Sequence, residues 1–565
     1  MDYDFIVIGA GPAGCSVASA LANCKSQPRV LLLEAGGPNS DVNMRIEGNK
    51  YIQFTKPGQS RSYESEPVAG LDNRRVALVE GTGLGGSTAI NFAAWTPGPK
   101  DDMDSMARYT GDAAWNWEAS RERLKKVELF ANPRHGSSQY VKVSNENHGY
   151  HGLIRVGYPT VPEKCALDTM KKWSSHGIRV NRDACDGSHL GICIAPATTW
   201  NGTRGTAADL IDQRKENLCI VTDAQVFRVL FKEKVADAVE LVDGRIFRAS
   251  KEIVLSAGAR GTPKMLLLSG IGPVDHLSEF GISIVYGNKN VGQNYRDHSH
   301  VCIKYVDDAG TSERVDFFND PLRQQAALHE WQLFRTGEYC RIGSTLVLGF
   351  FKSPGVLESS EFQHLSDSEK LRLQANTIPS YEVALNTLPS ELYDNPVAAV
   401  NIAPVHIFIH NSQSTGQVRL HSIDPFVSPS TSLKILEHPY DRRVAIEATR
   451  EVMEIVKSTS PAANWIDCPA SESEDDILDF WVRNGVSSWH ATGTCRMGKD
   501  EKEDGACVDT CFRVFGVTGL RVADLSVMPI SPSTHPQTTA YQIGMLAAEK
   551  IITQHDLNGI SHIAS

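Results

Sequence analysis

Apolar residues recur along the chain in short blocks that are separated by glycine-rich or polar stretches. The block at residues 3–8 predicts a strand, the apolar run at 13–22 predicts a helix, and residues 29–33 predict a second strand. A glycine loop separates the first strand from the helix. This order is typical of a βαβ unit and favours an α/β fold that contains a parallel sheet.

The rest of the chain continues the alternation of strand and helix patterns. Residues 36–79 are irregular and polar, and residues 112–130 have helical spacing. No repeat, low-complexity tract or linker divides the chain, so we expect interwoven domains. The remaining predicted elements are short strands at 218–222, 226–231 and 251–257, strand-rich segments at 345–350 and 398–410, and helices at 262–269, 441–458 and 539–554.

Composition and charge narrow the class of protein. Of the 565 residues, 41% are hydrophobic and 22% are charged, which is ordinary for a soluble globular enzyme. The length indicates two or more domains, or one large interleaved pair. The formal net charge of -11 would repel the phosphate backbone of a nucleic acid, so we do not expect a nucleic-acid partner. No apolar run reaches the roughly 18 residues of a membrane span, and no basic segment precedes the run at Asp4. We therefore expect an intracellular protein with no membrane partner.

Cysteines and acidic residues give no strong metal signal. The twelve cysteines are scattered, and the close pair Cys507 and Cys511 has no histidine at zinc-ligand spacing. Buried free thiols are the favoured interpretation, with a disulfide or a metal site as alternatives. Asp101, Asp102 and Asp104 are best interpreted as a solvated loop. We predict no metal site.

The first glycine loop has the spacing of a dinucleotide-binding site. Gly9, Gly11 and Gly14 follow the first strand and begin the first helix, where unpaired N–H groups can bind phosphates. Glu34 ends the second strand, 20 residues after Gly14, and can accept hydrogen bonds from ribose hydroxyls. The loop alone does not distinguish FAD from NAD, although its position at the N-terminus favours FAD.

Four further segments carry a family resemblance. Residues 81–91 read GTGLGGSTAIN, residues 258–272 read GARGTPKMLLLSGIG, and residues 290–298 read NVGQNYRDH. The C-terminal block contains SSWHATGTCRMG, VADLSVMP and HPQTTAY. In this order they resemble the signatures of the glucose-methanol-choline (GMC) oxidoreductases, which are FAD-dependent. Thr82 departs from the first signature, and residues 300–440 show only scattered resemblance.

The resemblance implies a fold and a division into domains. It predicts an α/β protein with a Rossmann-like FAD-binding domain and an interwoven α+β substrate domain, whose antiparallel sheet is flanked by helices. The FAD-binding domain is assigned to residues 1–155, 200–298 and 483–565. The substrate domain is assigned to 156–199 and 299–482.

The resemblance also assigns cofactor contacts. Asn91 matches a position beside the flavin ring, with a turn-stabilising asparagine as the alternative. Ile90 stands where relatives with covalently attached flavin have a histidine, and no histidine occurs between Gly81 and Gly98, so we expect non-covalent FAD. The other assigned contacts are Gly85, Gly86 and Ser87 along the flavin and pyrophosphate, Val226 at the adenine-ribose end, and Asp524 and Thr538 near the pyrophosphate and the pyrimidine edge.

Two histidines carry the implied chemistry. His490 matches the family histidine beside the flavin N5, and His535 matches a second His or Asn position. Neutral imidazole is suited to take a hydroxyl proton near pH 7 while hydride leaves carbon. Phe92, Trp95 and Trp489 are candidate walls of the substrate pocket, with core packing as the favoured alternative for Trp489.

The leading expectation is oxidation of a primary or secondary alcohol to a carbonyl, with oxygen as the favoured acceptor of electrons from reduced flavin. Three alternatives stay open: a dehydrogenase with a quinone-type acceptor, a non-redox lyase or cyclase of the same fold, and a non-catalytic FAD-binding protein. The substrate is expected to be a small molecule, with an aromatic or polyketide-like alcohol as a guess. Neither its identity nor the oligomeric state follows from the sequence.

Overall fold

The structure is a computed structural model that describes residues 2–54, 56–131, 139–159, 161–307, 312–385, 387–388 and 401–558. Two sheets organise these residues. The first is built around the N-terminal strand Asp2–Ile8, which pairs in parallel with a strand on each side. In spatial order its strands are Leu218–Val221, Val30–Leu33, Asp2–Ile8, Ile246–Leu255, Val235–Leu241 and Val226–Lys232, with Leu520–Val522 also paired to Ile246–Leu255.

The parallel part of this sheet is covered on both faces. Phe5, Ile6 and Val7 are fully buried, as a continuous apolar run in a parallel strand requires. The helix Pro12–Ala22 packs on the C-terminal helix Gln537–Gln554. Their close approach depends on Gly544, because a β-carbon there would lie 2.3 Å from the Ala13 carbonyl oxygen.

The second sheet is antiparallel throughout its described pairings. Side chains alternate between its two faces with period two, so one face can point into the protein's main cavity. Together the two sheets confirm the α/β fold and the antiparallel second sheet. In spatial order the strands are Asn464–Asp467, Ser299–Val306, Ile402–Ile409, Tyr381–Leu385, Leu346–Phe351 and Gly191–Ala195, with Val486–Ser487 also paired to Ser299–Val306.

Helices pack around the two sheets, and several short paired strands lie outside them. The α-helices of the described residues are Pro12–Ala22, Lys50–Gln53, Lys100–Thr110, Trp117–Val127, Lys164–Ser175, Gly258–Leu268, Val274–Glu279, Ser312–Phe318, Pro321–Phe334, Pro354–Glu358, Ser360–Gln363, Asp367–Gln374, Pro439–Thr459, Glu474–Asn484 and Gln537–Gln554. The paired segments outside the two sheets are Ser60–Glu64 with Ala77–Gly81, Glu128–Ala131 with Ile154–Gly157, Thr199–Trp200 with Thr203–Arg204, Ile271–Gly272 with Tyr286–Gly287, and Gln293–Tyr295 with Gly416–Arg419 and Ser430–Ser432.

Most predicted elements are confirmed with shifted ends. The solvated loop predicted at Asp101, Asp102 and Asp104 is wrong, because these residues lie in the helix Lys100–Thr110 and Asp102 is buried beside Arg372. The helix predicted at 112–130 is shorter: it begins after Asn116, whose side chain accepts from the Ala119 N–H at 2.9 Å, and its last residues form the strand Glu128–Ala131. The excursion at 36–79 contains the strand Ser60–Glu64, which the sequence reading missed. Residues 398–400 of the predicted segment 398–410 lie outside the described residues.

The two sheets draw on different stretches of chain. Strands of the first sheet come from residues 2–33, 218–255 and 520–522, and strands of the second lie between 191 and 487. Val486–Ser487 joins the second sheet although the predicted boundary places residue 483 onward in the FAD-binding domain. The domain limits themselves stay a prediction.

Two further sequence expectations concern cysteines and membranes. All twelve cysteines lie within the described residues, and all are free thiols. Among the described helices, none combines the length and the apolar composition that crossing a membrane requires.

Candidate active site

A cavity of about 570 Å³ extends between the strand ends of the first sheet and one face of the second. We call one part of the cavity the glycine half; its walls include Gly9, Gly11, Gly86 and Gly258. We call the other part the histidine half; its walls include His300, His406, His490 and His535. Most of the predicted site residues meet here although they are far apart in sequence.

The first glycine loop forms one wall of the glycine half. Gly9 has φ +101°, a left-handed conformation that favours glycine, and a β-carbon there would lie 2.4 Å from the Ser256 carbonyl oxygen. Gly14 lets the first helix approach the loop, since a β-carbon would lie 1.9 Å from the Gly9 carbonyl oxygen. At Gly11 nothing lies within 4 Å of an added β-carbon, so this part of the loop faces open space at a helix N-terminus.

The second glycine segment packs on the first. The Gly85 N–H donates to the Ala10 carbonyl oxygen at 2.9 Å, and a β-carbon on Gly86 would lie 2.7 Å from the Gly11 Cα. Ser87 lines the cavity while its hydroxyl accepts from the Gly81 N–H at 3.1 Å. The two loops therefore form one cradle, which a side chain at either close contact would disrupt.

Glu34 lines the cavity and also fastens the loops. Its carboxylate accepts hydrogen bonds from the backbone N–H groups of Ala10 at 2.9 Å, Gly36 at 2.8 Å and Gly83 at 3.1 Å. The sequence analysis assigned Glu34 only to ribose hydroxyls. The structure adds a structural role, because one buried carboxylate joins the first loop to the second glycine segment.

Val226 and Asp524 line the same half of the cavity. Asp524 accepts from the Gly258 N–H at 2.9 Å and from the Thr262 hydroxyl at 2.5 Å, and so holds the start of the helix Gly258–Leu268. Burial raises the pKa of the Asp524 carboxyl, although hydrogen bonds from Ser526 and Thr262 oppose the shift.

Asn91 lies between the two halves. Its side-chain oxygen accepts from the Ala93 N–H at 3.0 Å and from the buried Arg204 guanidinium at 2.5 Å, and its amide donates to Gln537. Asn91 therefore stabilises the turn, as the alternative interpretation proposed, and also lines the cavity.

Thr538 is placed differently from the cavity-lining contacts. Its side chain is fully buried and donates to the Thr96 carbonyl oxygen at 3.0 Å, and it does not line the cavity. Its neighbours Pro536, Gln537 and Ala540 bring the N-terminal end of the last helix to the cavity wall instead.

His490 and His535 face each other in the histidine half. Their ring centroids are 5.1 Å apart and their planes are perpendicular, with an interplanar angle of 90°. Each ring is bound to the protein through one nitrogen: His490 Nδ1 lies 2.9 Å from His298 Nδ1, and His535 Nε2 lies 2.9 Å from Glu382 Oε1. The remaining nitrogen of each ring is left for a molecule in the cavity.

The two histidines differ in charge preference. Burial, reinforced by His535 and His410, lowers the pKa of His490 well below its ordinary value. Burial also disfavours charge on His535, but the Glu382 carboxylate outweighs it and raises the pKa of His535. The cavity therefore holds one neutral imidazole beside one that retains a proton more readily.

Buried partners hold this pair in place. Glu382 is fully buried in the strand Tyr381–Leu385, and its second oxygen lies 3.0 Å from His410 Nε2. Burial alone would raise the pKa of the Glu382 carboxyl, but His535 and His410 together lower it. Asp297 accepts from the His490 backbone N–H at 2.8 Å and from the Ser487 hydroxyl at 2.6 Å, and so fixes the turn that carries His490.

Aromatic residues form another part of the cavity wall. Phe92 and Trp489, the candidate wall residues, line the cavity together with Tyr51 and Phe54, although core packing was the favoured interpretation for Trp489. The centroid of the Phe54 ring is 4.3 Å from that of Trp489 and 5.3 Å from that of Phe92. The Tyr51 and Phe92 ring centroids are 5.1 Å apart. Trp489 has φ +59°, a strained value for a bulky residue that turns it and His490 toward the cavity.

Trp95 is not a pocket wall in the structure. It is 1% exposed, lies outside the cavity lining, and packs against Tyr541 with ring centroids 5.7 Å apart. The chain reverses at Ala93, where φ is +68°, so Phe92 faces the cavity and Trp95 enters the core.

The sequence analysis gave no role to several histidines around the cavity. His298 and His300 stand at alternate positions at the start of one strand, and His406 and His410 flank Phe408 on its neighbour. Histidines at every second position of an apolar strand could have indicated these residues, because alternate side chains point to the same face of a sheet. Glu382 offered no comparable signal.

Possible metal ligands cluster elsewhere. Within the described ranges the groups are His148 with Asp183 and Cys185, and Glu163 with Cys165 and Glu313. Neither group lines the cavity. Burial opposes charge on His148, yet hydrogen bonds to Asp183 and Glu128 raise its pKa to about 9, and Glu163 pairs with Arg314 at 2.8 Å. Each group therefore contains a residue that already forms an ion pair.

The glycine half fits the adenosine diphosphate part of FAD. Gly11 and Gly258 each leave open space where a β-carbon would stand, and two helix N-termini meet there. Backbone N–H groups in this arrangement bind pyrophosphate. The cavity continues directly into the histidine half, so a flavin ring can extend toward His490 and His535.

Comparison with known proteins identifies related sequences along most of the chain. The family profile described as GMC oxidoreductase matches residues 3–300 in its N-terminal part and 412–544 in its C-terminal part. A glucose methanol choline oxidoreductase, atC, of Aspergillus terreus is 30% identical over 98% of this chain and 93% of its own. An oxygen-dependent choline dehydrogenase of Proteus mirabilis is 30% identical over 98% of this chain and 96% of its own.

Solved structures show the same architecture. A formate oxidase of Aspergillus oryzae, studied for the effect of a mutation on modification of its FAD, superposes with a TM-score of 0.87. The two chains are 25% identical, and the match covers 98% of this chain and 99% of the other. The structural likeness therefore extends over both sheets.

Proposed function

This chain belongs to the GMC oxidoreductase family of FAD-dependent enzymes, and on that premise we propose that it oxidises a primary or secondary alcohol to a carbonyl compound. The observation that carries the proposal is the unequal pair of histidines. One neutral imidazole and one carboxylate-bound imidazole share the end of a cavity that continues from a dinucleotide cradle. FAD, when bound, supplies the two-electron acceptor for a hydride from the alcohol carbon.

His490 is the proposed base. For its Nε2 to accept the hydroxyl proton, its Nδ1 must carry hydrogen and donate to His298 Nδ1. His298 must then carry its own proton on Nε2, which lies 2.9 Å from the Ser531 hydroxyl. Burial lowers the pKa of His298 well below its ordinary value, so a neutral acceptor is consistent with this chain of bonds.

His535 is the proposed hydrogen-bond donor to the alcohol oxygen. Its Nε2 donates to Glu382, and in the protonated ring Nδ1–H is available to the substrate. A positive imidazolium stabilises the negative charge that develops on oxygen as His490 removes the proton. The two rings thus fix the oxygen from two directions and favour one orientation of the alcohol.

Anaerobic mixing with alcohols tests the proposal. We expect the oxidised flavin absorbance of the holoenzyme to bleach with an accepted alcohol, and His490→Ala to keep FAD but to slow bleaching by about 10²- to 10⁴-fold, as for loss of a general base. The matched control is His421→Ala, because His421 is exposed and outside the cavity lining. Product formation without bleaching would instead support a lyase or cyclase, and bleaching at the normal rate in His490→Ala would refute the assigned role.

Oxygen is the proposed final acceptor. The first electron transferred to oxygen creates negative charge, and a protonated His535 held by Glu382 lowers that barrier electrostatically. Reoxidation of substrate-reduced enzyme in air-saturated buffer should restore the yellow form on the turnover timescale and yield hydrogen peroxide. Enzyme that stays reduced in air but recovers at once with a quinone would show a dehydrogenase.

We also propose that FAD is bound without a covalent bond. The position where covalently linked relatives carry histidine is Ile90, which is 2% exposed beside the cavity and has no nucleophilic atom. No cysteine is among the described residues that line the cavity.

A further inference from the structure

One face of the second sheet presents a second pair of histidines to the cavity. His300 on Ser299–Val306 pairs in register with Phe408 on Ile402–Ile409, and His406 stands two residues before Phe408 on the same face. All three residues line the cavity, and the His300 and His406 ring centroids are 5.4 Å apart. The proposed alcohol chemistry uses neither histidine.

Both rings offer hydrogen-bonding atoms to the cavity. His300 Nδ1 lies 3.0 Å from the Ser488 hydroxyl, which leaves Nε2 available. The His406 ring also lines the cavity, where its nitrogens can hydrogen-bond to a ligand. Burial lowers the pKa of His300 well below its ordinary value, and burial aided by the charge of Lys304 lowers that of His406 to about 4. Near pH 7 both are neutral, so each can donate one hydrogen bond and accept another.

The surroundings favour an uncharged aromatic ligand. Tyr51, Phe54, Phe92 and Trp489 line the cavity, and the Trp489 ring centroid is 5.9 Å from that of His300. Leu346 and Leu348, from another strand of the same sheet, also line it. Glu34, Glu80 and Asp524 are the carboxylates among the described residues lining the cavity, and Glu34 and Asp524 hold the glycine loops. Two carboxylates near the histidines, Glu382 behind His535 and Asp297 beneath the His490 backbone, are buried and do not line the cavity. A cationic substrate would thus find no carboxylate exposed to it here.

We infer that His300 and His406 form a second polar subsite that binds a neutral hydroxyl or carbonyl oxygen on an aromatic alcohol substrate. This inference rests on the proposed function, since the reacting alcohol group occupies the His490 and His535 end. The Phe408 ring lies between the two ends, 4.8 Å from the His300 ring and 5.9 Å from the His535 ring. That spacing is compatible with a substrate whose carbinol carbon and second oxygen are on opposite sides of one aromatic ring.

Matched alcohols test the subsite. The probes are benzyl alcohol, 3-hydroxybenzyl alcohol and 4-hydroxybenzyl alcohol, with choline as the cationic comparison. Affinity is measured from the flavin absorbance change in the first phase of anaerobic stopped-flow mixing, before reduction begins. Flavin reduction is followed in the later phase of the same traces. We expect at least one hydroxylated alcohol to bind wild type about two- to tenfold more tightly than benzyl alcohol, as for one net neutral hydrogen bond.

The variants His300→Phe and His406→Phe keep a ring but remove its hydrogen-bonding atoms. We expect the preference for the hydroxylated alcohol to fall toward one in at least one of them, and His406→Asn, which retains a donor and an acceptor, to recover part of it. His421→Ala should keep the full preference. FAD content and thermal unfolding confirm that each variant is folded.

Several outcomes would overturn the inference. They are equal binding of all three aromatic alcohols by wild type, an unchanged preference in both phenylalanine variants, or tighter binding of choline than of any aromatic alcohol. If no alcohol reduces the flavin, the proposed function fails, but the binding preference still decides whether the subsite exists.

Discussion

Replacing Glu382 with glutamine removes the charge facing His535 while nearly conserving the side chain's shape. Glu382 is fully buried, with Oε1 2.9 Å from His535 Nε2 and Oε2 3.0 Å from His410 Nε2. The glutamine amide can still hydrogen-bond to one ring. The substitution therefore tests charge more than packing.

The expected size follows from this geometry. Two unit charges 2.9 Å apart attract by about 6 kcal/mol at an effective dielectric constant of ~20, before the cost of burying them is subtracted. A nearby opposite charge typically shifts a pKa by about one to three units. We therefore expect the pKa of His535 to fall by about one to three units in Glu382→Gln, which corresponds to roughly 1.4–4 kcal/mol.

The direction of the pH effect is fixed by the role of His535. In wild type Glu382 raises the pKa of His535, so the donating imidazolium persists to higher pH and is lost as pH rises through that raised value. In Glu382→Gln the loss should occur about one to three pH units lower. Above the pKa of His535 in the variant, the rate constant of flavin reduction should fall by about tenfold for each pH unit. It should level off at the rate that enzyme with neutral His535 supports.

The assay is the pH dependence of anaerobic flavin reduction at saturating alcohol. Glu451→Gln is the matched control: its carboxylate accepts from the Tyr381 hydroxyl at 2.8 Å and lies outside the cavity lining, so its pH profile should match wild type. An alkaline limb that does not move in Glu382→Gln, in a variant with normal FAD content, would show that His535 does not act in its charged form.

Three further predictions test other parts of the site. His535→Asn should slow flavin reduction less than the ~10²- to 10⁴-fold expected for His490→Ala, because asparagine can still hydrogen-bond to the alcohol oxygen; the reverse order would exchange the two roles. Glu34→Ala should yield soluble protein with reduced FAD retention and a lower melting temperature, because three backbone N–H groups lose their acceptor. Each group left unsatisfied costs about 1–3 kcal/mol of stability. Unchanged FAD binding and stability would contradict this. Acid precipitation of the holoenzyme should leave yellow flavin in the supernatant, and colour retained in the washed pellet would disprove non-covalent binding.

Short-range patterns accounted for much of the fold. The strand at the N-terminus, the glycine loop and the first helix follow one another within residues 2–22, so local spacing was enough to predict them. Motif order along the chain indicated the family and led to His490 and His535. The helix predicted at 112–130 ended early because its last residues pair with the distant strand Ile154–Gly157, a contact that local spacing does not contain.

The sequence by itself determined the dinucleotide loop, because its glycines lie close together in the chain, and the order of the family motifs led to the two central histidines. Tertiary structure alone decided what those histidines can do. His490 meets His298 across 192 positions, and His535 meets Glu382 across 153. A pKa depends on burial and on charges within a few ångströms, so these long-range contacts, and not the residue types, make one imidazole neutral and give the other a carboxylate partner. The same physics placed Trp95 in the core and brought His300 and His406 to the cavity, since the side of a strand or turn that faces inward is set by what packs against it.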